Sequence, residues 1–302
     1  METRSNALRS LRGFRRLAPA EWREREERHA ARLRPWTEPH LRRRSLGETH
    51  PVYDFLFDYY SHPVAKLLRW SPGADALLTG EGSAKFLSQP GYRADPEGAL
   101  FDGAAFPEGR RESLRWALDF LKATAGRPAQ FSCHGLHEWA MVYRSPEVRH
   151  GRVPLRLAPE ALAVFVEGQT LCCSHYDAFR FFTPEARPLN RLIPEKHRQT
   201  ELDQPGCLHV NMDLYKWAYK FSPWISGELT ADCFELAAAA REIDMRASPY
   251  DLSDLSGLEW SPIAIETEAG REHYAQCQRD LAERGRPLRE RLIAEMEAIA
   301  SV

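Results

Sequence analysis

The chain has 302 residues, of which 43% are hydrophobic and 28% are charged, a balance typical of a globular protein with a substantial buried core. No apolar run approaches the ~20 residues that a membrane-spanning helix needs, and the first residues lack the apolar stretch of a secretory signal. We therefore expect a cytoplasmic protein without a membrane partner. The six cysteines form no CxxC pair, which argues against a disulfide framework and against a cysteine zinc site.

The net charge of −2 is unevenly distributed along the chain. Residues 1–44 contain thirteen Arg and six Glu, a balance of +7, which leaves −9 for the remaining residues. We therefore divide the chain into a basic N-terminal arm or helix at 1–45 and a single, mainly helical catalytic domain at 46–302. A basic arm can steer a protein toward nucleic acid phosphates. We favour the simpler interpretation, a partly frayed amphipathic helix with a solvated Arg/Glu face.

The hydrophobic pattern predicts helices along most of the chain. A helix is predicted to begin after Thr49, with Pro51 in its first turn, and Pro63 is expected to interrupt it. Further helices are predicted at 109–126, 133–144, 208–221, 226–246, 270–284 and 287–299. Strands are predicted at 170–176 and 262–268, and loops at the Pro- and Gly-rich stretches 71–107 and 183–206. The predicted fold class is mainly α: a single helical domain with a minor β component and a basic N-terminal helical arm.

Histidines and carboxylates are concentrated in four aromatic-rich segments, at 133–144, 172–182, 207–220 and 233–252. Ionisable side chains among aromatic residues must pair, bind a ligand or shift their pKa, because burying an unpaired charge costs several kcal/mol. So many such groups within one third of the chain predict an active site.

Two of these segments place polar side chains on one helix face, since positions three and four apart are neighbours there. His134, His137 and Glu138 could hold a metal, or one imidazole could orient a general base. Their order, HxxHE, matches neither the HExxH nor the HxxEH motif of zinc proteases. His209 and Asp213 could be a base with its orienting carboxylate, or two metal ligands. In both segments an ordinary polar pair or solvated stripe is at least as common.

The remaining segments combine acids with arginines. If residues 172–182 are extended, His175 and Asp177 face the same way, and Arg180 among aromatic rings suits a planar or anionic ligand as well as it suits a buried Asp–Arg pair. The fourth segment surrounds a predicted helix end with Asp244, Arg246, Tyr250 and Asp251. Helix ends leave backbone groups free for ligands, although an aspartate there can also simply cap a turn. A fifth possible contributor is the four-residue repeat of His50, Asp54 and Asp58.

Several strings of the sequence are similar to one known family. These strings are HPVYDFLFDYY, LLRWSPG, GLHEWAMVYR, SHYDAFRFFTPEARPLN, QPGCLHVNMDLYKWA and DMRASPYDL. They resemble a family of bacterial, largely actinobacterial, proteins commonly labelled 3-methyladenine DNA glycosylase, and the resemblance runs from about Trp22 to the C terminus. It implies hydrolytic removal of alkylated bases from DNA without a cofactor. The chain carries no helix-hairpin-helix glycine motif, zinc-binding Cys/His pattern or HEAT-like repeat, so the resemblance supplies no catalytic residues to map.

Glycosylase chemistry needs an aromatic pocket for the flipped base and a carboxylate that stabilises the sugar cation or activates water. The residues expected to bind the substrate are Trp139, Tyr176, Phe179, Arg180, Trp217, Arg246 and Tyr250. The residues expected to catalyse are Asp177, Asp213, Glu138, His137 and His209. The partner under this interpretation is DNA.

A metal-dependent enzyme, such as a non-heme iron oxidoreductase acting on a small molecule, is the alternative. Helical scaffolds build such sites from histidines and carboxylates that project inward. The expected ligands are His134, His137, Glu138, His175, His209 and Asp213, with iron, zinc or manganese as the ion. This interpretation takes second place because the Glu-x-x-His repeat of di-iron proteins is missing from the sequence. A non-catalytic helical binding protein, in which these groups are structural ion pairs, is a third possibility.

Overall fold

The computed structural model describes residues 14–145, 153–255 and 261–301, and the chain in these ranges is mainly helical with a small sheet. The predicted fold class is therefore confirmed. The α-helices are α1 Pro19–Leu46, α2 Phe55–Asp58, α3 Val64–Leu67, α4 Arg111–Ala125, α5 Leu136–Ala140, α6 Pro159–Glu167, α7 Tyr176–Phe179, α8 Gln199–Leu202, α9 Leu208–Phe221, α10 Gly227–Ala247 and α11 Glu268–Ala300. The strands are β1 Arg15–Leu17, β2 Ala76–Thr79, β3 Tyr92–Asp95 and β4 Gly98–Phe101. Short 3₁₀ helices cover Ser83–Ser88, Gly103–Ala105, Glu108–Arg110, Arg187–Leu189 and Lys196–Arg198. No helix in the described ranges combines the length and apolar content needed to cross a membrane.

Helix α9 lies at the centre of the helical body and packs against α10 and α11. Most of its side chains are buried, including Trp217 and Tyr215. Helix α4 covers the other side of α11. The predicted bounds of α4, α9 and α10 agree with the structure to within about two residues. The polar face of α9 is therefore enclosed by neighbouring elements, which is what creates a buried site.

The C-terminal region forms one helix, so the prediction of two helices separated near Pro287 is wrong. Helix α11 continues through Pro287, which lies on the exposed side of the helix. The buried face runs past it without interruption through Leu281, Gly285 and Leu292. The packing of this continuous face stabilises the helix enough to offset the hydrogen bond that the proline removes.

Helix α1 is docked on the helical body along its length. Its buried side chains are Trp22, His29, Leu33, Thr37 and His40. Two of its arginines pair with acids of α10: Arg25 Nε lies 2.7 Å from Glu228 Oε1, and Arg32 Nη2 lies 2.7 Å from Glu235 Oε2. Much of the positive charge noted in the sequence is therefore compensated within the molecule.

Three of the four strands of the sheet lie where a loop was predicted, so the prediction for residues 71–107 is wrong. Its strand order is β1-β2-β4-β3, with β1 parallel to β2 and the other pairs antiparallel. Its strands are only three or four residues long and are flanked by glycines, and so they lack the long alternating pattern that indicates a strand. A small second core of Trp22, Trp70 and Phe86 attaches the sheet to the start of α1.

The two predicted strands are wrong as well. Residues 170–176 form only an isolated bridge from Leu171 to Asn190. The Asn190 side chain accepts from Cys173 N at 2.8 Å and donates to Cys173 O at 2.9 Å, so a side chain satisfies this extended backbone. Residues 262–268 contain buried Ile263 and Ile265 but no regular strand. Of the predicted helix 133–144, only α5 is an α-helix, and turns flank it.

Candidate metal centre and active site

Helices α5, α7, α9 and α10 bring the polar residues of all four segments to one buried place. On α9, His209 and Asp213 lie one turn apart, and on α10 Arg241 and Asp244 are three residues apart, so each pair shares one helix face. The start of α5 depends on Gly135, whose φ is +73° and whose position would bring a Cβ to 3.2 Å from Ala247 Cβ. A residue with a side chain there would strain the backbone and push α5 away from α10.

The first cluster consists of His137, His209 and Asp244, whose ligand atoms all lie within 4.8 Å of one another. His137 Nε2 donates to Asp244 Oδ1 at 2.6 Å, and both side chains are fully buried. His209 Nε2 lies 4.0 Å from Asp244 Oδ2, which is too long for a hydrogen bond. Two atoms that ligate one ion at ~2.1 Å each lie roughly 3–4 Å apart. The spacing from His209 to Asp244 is thus one that a bound ion can bridge.

Arg241 holds the carboxylate of the first cluster in place. Its Nη1 donates to Asp244 Oδ2 at 2.9 Å and to Glu138 Oε1 at 3.0 Å. Its guanidinium also stacks over the Phe55 ring, 4.2 Å from the ring centroid. Oxygen Oε2 of Glu138 is buried and has no hydrogen-bond partner among the described residues. The site thus contains one carboxylate oxygen that is ready to accept a proton donor.

The second cluster consists of His175, Asp177 and Asp213, and its ligand atoms also lie within 4.8 Å of one another. Asp203, which the sequence analysis missed, accepts from His175 Nδ1 at 3.3 Å. The ammonium of Lys216 lies between the two acids of the cluster, 3.0 Å from Asp177 Oδ2 and 3.1 Å from Asp213 Oδ2. This cluster therefore contains its own cation.

The imidazole rings of the two clusters are in contact through His209. Its ring centroid lies 4.4 Å from that of His137, edge to face, and 5.4 Å from that of His175, nearly parallel. The two clusters are therefore neighbouring parts of a single site.

The buried charges shift the pKa values of the three histidines in different directions. Burial alone would lower the pKa of His137, but the negative charge and hydrogen bond of Asp244 outweigh it and raise the pKa well above the ordinary value. Asp203 raises the pKa of His175 in the same way against the effect of burial. Burial, together with the positive charge on His137, holds the pKa of His209 well below the ordinary value. His209 is therefore neutral at neutral pH and keeps a lone pair for a metal or a proton.

Asp213 stays ionised although it is buried. Burial alone would raise its pKa, but Lys216 and His175, together with the Tyr60 hydroxyl, lower the pKa below the ordinary value. Tyr60 Oη donates to Asp213 Oδ1 at 2.8 Å. Burial alone would lower the pKa of Lys216, but Asp213 and Asp177 raise it above the ordinary value. The second cluster is thus a stable group of opposite charges at neutral pH.

A small cleft opens onto both clusters, and the space within it is about 20 Å³, enough for one water molecule. Its polar lining consists of Glu138, Asp177, His209 and Arg241. Its apolar lining consists of Phe55, Tyr59, Met141, Ala178 and Phe181. Arg180 stacks over Phe181, 4.4 Å from the ring centroid. A small molecule or a single flipped base could therefore occupy the cleft only if the side chains that line it moved apart.

Four aromatic residues expected in this pocket lie elsewhere, and none of them lines the cleft within the described part of the chain. Trp139 is fully buried, and its Nε1 donates to a backbone carbonyl of α10. Trp217 packs against Trp116, at 5.7 Å between ring centroids. Phe179 packs within the body, and Tyr176 is a half-buried residue at the start of α7. The aromatic wall is instead supplied largely by α2 and the residues that follow it.

Three further predicted residues also lie outside the cleft. Arg246 Nε donates to Ser261 O at 3.0 Å, and Tyr250 is buried beside the extended residue Leu155. His134 lies on a separate surface groove together with Arg271. Burial and the positive charge of Arg271 lower the pKa of His134. In the structure, therefore, His134 is not grouped with His137 and Glu138.

The four-residue repeat of His50, Asp54 and Asp58 lies where α1 meets the helical body. Asp54 accepts from His40 Nδ1 at 2.9 Å and from Arg43 Nε at 3.1 Å, and it also accepts from the backbone N of His50. Asp58 is exposed. These groups form a structural junction, separate from the two clusters.

The sequence analysis missed several residues of the site. Arg241, Lys216, Tyr60 and Asp203 each contact one of the clusters, and Asp244 was noted only as a residue near a helix end. Two signals were available on predicted helices: the three-residue spacing of Arg241 and Asp244, and that of Asp213 and Lys216, which continues the stripe of His209 and Asp213.

Comparisons with known proteins give no further guidance, because no family model, no curated protein and no solved structure matches this chain. The resemblance to the proteins labelled 3-methyladenine DNA glycosylase thus remains a prediction. Any assignment of function has to come from the geometry of the two clusters and the cleft.

Proposed function

We propose that this protein is a metal-dependent enzyme that acts on a small molecule and binds one divalent ion at the first cluster. The observation that carries the proposal is the set of two imidazoles and one carboxylate whose ligand atoms lie within 4.8 Å of one another. Two histidines and one carboxylate are the ligands of many non-heme iron(II) enzymes, and the same donors also accept manganese or zinc. We expect iron(II) first.

The different exposure of the three ligand side chains supports this assignment. His137 and Asp244 are sealed in the interior, whereas the side chain of His209 is 16% exposed and lines the cleft. Three protein ligands leave coordination positions for water and substrate, and those positions would face the cleft. A bound ion would act there as a Lewis acid or as a redox centre.

The two clusters differ in how their negative charge is compensated, and this difference favours the first cluster as the metal site. Arg241 contacts Oδ2 of Asp244 and leaves Oδ1 directed at His137. A hydrogen bond of this kind orients a ligating carboxylate. In the second cluster Lys216 contacts both carboxylates and occupies the space between them. For an ion to bind at the first cluster, the proton between His137 and Asp244 must leave, and the two atoms must separate from 2.6 Å to the roughly 3–4 Å of ligands that share an ion.

Glu138 would then act on the substrate. Glu138 lines the cleft, its Oε2 is buried without a hydrogen-bond partner among the described residues, and its other oxygen is held by Arg241. A fixed carboxylate with one free oxygen can accept an N–H or O–H donor from a bound molecule or take up its proton. The rings of Phe55, Tyr59 and Phe181 would hold the apolar part of that molecule.

The test is elemental analysis of the protein purified without a chelator or a metal-binding tag. Near-stoichiometric iron, manganese or zinc is expected, and Asp244→Asn and His209→Ala should both lose it. His197→Ala is the control, because that imidazole is 75% exposed and belongs to neither cluster. A metal-free wild type that also fails to take up iron(II), manganese or zinc would contradict the proposal, as would equal metal content in all four proteins.

Removal of an alkylated base from DNA is the second candidate. The observation in its favour is the cleft itself, in which aromatic rings surround the carboxylates Glu138 and Asp177. Aromatic rings beside carboxylates suit a methylated, positively charged base once the lining side chains have moved apart, and a carboxylate can stabilise the sugar cation that the departing base leaves. Asp213 is held by Lys216 and Tyr60, so Glu138 replaces it as the favoured catalyst.

The second candidate is tested by measuring release of methylated bases from alkylated DNA in the presence of a chelator. Metal-independent release that is lost in Glu138→Gln would support glycosylase chemistry and count against the metal-dependent enzyme. No release in chelator, together with metal bound at the first cluster, would exclude it. We place either enzyme in the cytoplasm because all six cysteines are free thiols, as is usual in that compartment.

A further inference from the structure

We propose that the second cluster is a second binding site for a divalent cation, and that Lys216 controls its occupancy. The donors would be His175 Nε2 and one oxygen each of Asp177 and Asp213. His175 Nε2 lies 4.0 Å from Asp213 Oδ2, a distance without a hydrogen bond that one ion can bridge. The inference rests on the proposed metal-dependent function, because together the two clusters would make a two-ion centre.

The donor atoms are already oriented by partners on their far sides. Asp203, itself buried, accepts from His175 Nδ1 at 3.3 Å and directs Nε2 toward the acids. Tyr60 Oη donates to Asp213 Oδ1 at 2.8 Å, which leaves Oδ2 on the inner side. Carboxylates and hydroxyls that hold the outer atoms of a ligand are a regular feature of metal sites.

Lys216 occupies the position that the cation would take. Its Nζ lies 3.0 Å from Asp177 Oδ2 and 3.1 Å from Asp213 Oδ2. Its side chain is 27% exposed, and its ammonium lies 5.2 Å from the centroid of the Trp217 ring. A lysine has a flexible four-carbon stem, so its ammonium can move out to solvent.

The charges favour this exchange. With Lys216 withdrawn, the carboxylates of Asp177 and Asp213 lose the ammonium between them, while His175 and Arg180, whose Nε lies 3.4 Å from Asp177 Oδ1, stay in place. A divalent ion restores the missing positive charge at the same place. The lysine therefore keeps the empty site neutral and competes with the ion for it.

The second site adjoins the first through stacked rings. The ring of His175 lies parallel to that of His209 at 5.4 Å between centroids, and Asp177 and His209 line the same cleft. A substrate in the cleft would therefore contact both positions. Two neighbouring divalent ions are typical of enzymes that stabilise both the attacking and the leaving oxygen of a displacement.

The experiment is a titration of the metal-free protein with Mn²⁺ by isothermal calorimetry. The wild type should bind one ion tightly and a second one weakly. If the lysine leaves the cluster one tenth of the time or less, Lys216→Met should bind the second ion at least about tenfold more tightly. Lys220→Met is the matched control, since its ammonium lies over the same Trp217 ring, 5.3 Å from the centroid, and it should bind as the wild type does.

Two further variants separate this inference from the proposed function. Asp177→Asn keeps Lys216 in place, changes a partly exposed side chain and should abolish the weak site alone. Asp244→Asn should abolish the tight site alone. A second ion that is lost in Asp177→Asn but insensitive to Asp244→Asn supports the second site even if the first cluster proves empty. Unchanged binding in both Lys216→Met and Asp177→Asn would overturn the inference, and the Asp177→Asn result decides it should Lys216→Met not fold.

Discussion

Arg241 neutralises two buried carboxylates, and the variant Arg241→Met removes its charge while keeping most of its length. Arg241 Nη1 lies 2.9 Å from Asp244 Oδ2 and 3.0 Å from Glu138 Oε1. Removing one partner of a buried ion pair costs about 3–5 kcal/mol, because the other charge stays buried without compensation. Asp244 keeps its bond to His137 at 2.6 Å, so the loss falls mainly on Glu138. We therefore expect the free energy of unfolding to fall by about 3 kcal/mol, the lower end of that range.

The assay is urea unfolding at neutral pH in a chelating buffer, so that metal binding does not add stability to the folded state. Arg286→Met is the matched control. Its guanidinium is exposed and pairs with Glu283 on the same helix, and such a pair contributes at most about 1 kcal/mol. A loss of less than about 1 kcal/mol for Arg241→Met, or an equal loss for both variants, would refute the ion-pair argument.

Two further predictions concern stability away from the cleft. Gly285→Ala would place a Cβ 2.2 Å from Asn211 Oδ1 and should lower the free energy of unfolding by about 1–2 kcal/mol, although alanine has the better helix propensity. Gly109→Ala is the control and should be neutral, because a Cβ there meets nothing within 4 Å. Equal thermal melting temperatures for the two variants would contradict this prediction. His62 stacks on Tyr219, and burial lowers the pKa of this histidine to about 3. In the unfolded chain this histidine therefore takes up a proton near its ordinary pKa of ~6.5, whereas in the folded protein it stays neutral at that pH. His62 thus contributes stability above pH ~6.5, and this contribution is lost as the pH falls toward 3. Between about pH 6.5 and 4.5, the free energy of unfolding in urea should therefore fall less for His62→Gln than for the wild type. Parallel pH dependences for the two proteins would contradict the assignment.

The sequence was a good guide to the long helices and a poor one to the sheet. Helices α4, α9 and α10 carry apolar residues at helical spacing over three turns or more, and this local signal is strong. Strand β1 has three residues, and its parallel partner β2 lies some sixty residues further on. Such pairing depends on tertiary contacts, so no local pattern can indicate it. The continuity of α11 through Pro287 has the same cause, since packing along the helix overrides the local preference of the proline.

The site was foreseeable where it depends on helix periodicity. The spacing of His209 and Asp213 places both side chains on one face of α9, as the sequence analysis predicted. Their division between two clusters was not foreseeable, because it depends on partners far away in sequence. Asp244 is 107 residues from His137, and Tyr60 is 153 residues from Asp213.

The aromatic residues show the same limit. Trp139 and Trp217 stand beside the polar residues of the site in sequence, and a helix turns each of them toward a different neighbour. Phe55 and Tyr59 reach the cleft from α2 and the residue after it, far from the four polar segments in sequence. Local composition indicated that an aromatic wall exists. It could not indicate which rings build the wall, because that depends on how the helices pack.

The central claim is that the first cluster holds a divalent ion. The most direct measurement is an anomalous difference map from a crystal of the protein grown with Mn²⁺. The account predicts a peak at ~2.0–2.3 Å from Nε2 of His137, Nε2 of His209 and an oxygen of Asp244. An ordered site without such a peak, in which His137 still donates to Asp244 as in the metal-free protein, would contradict it.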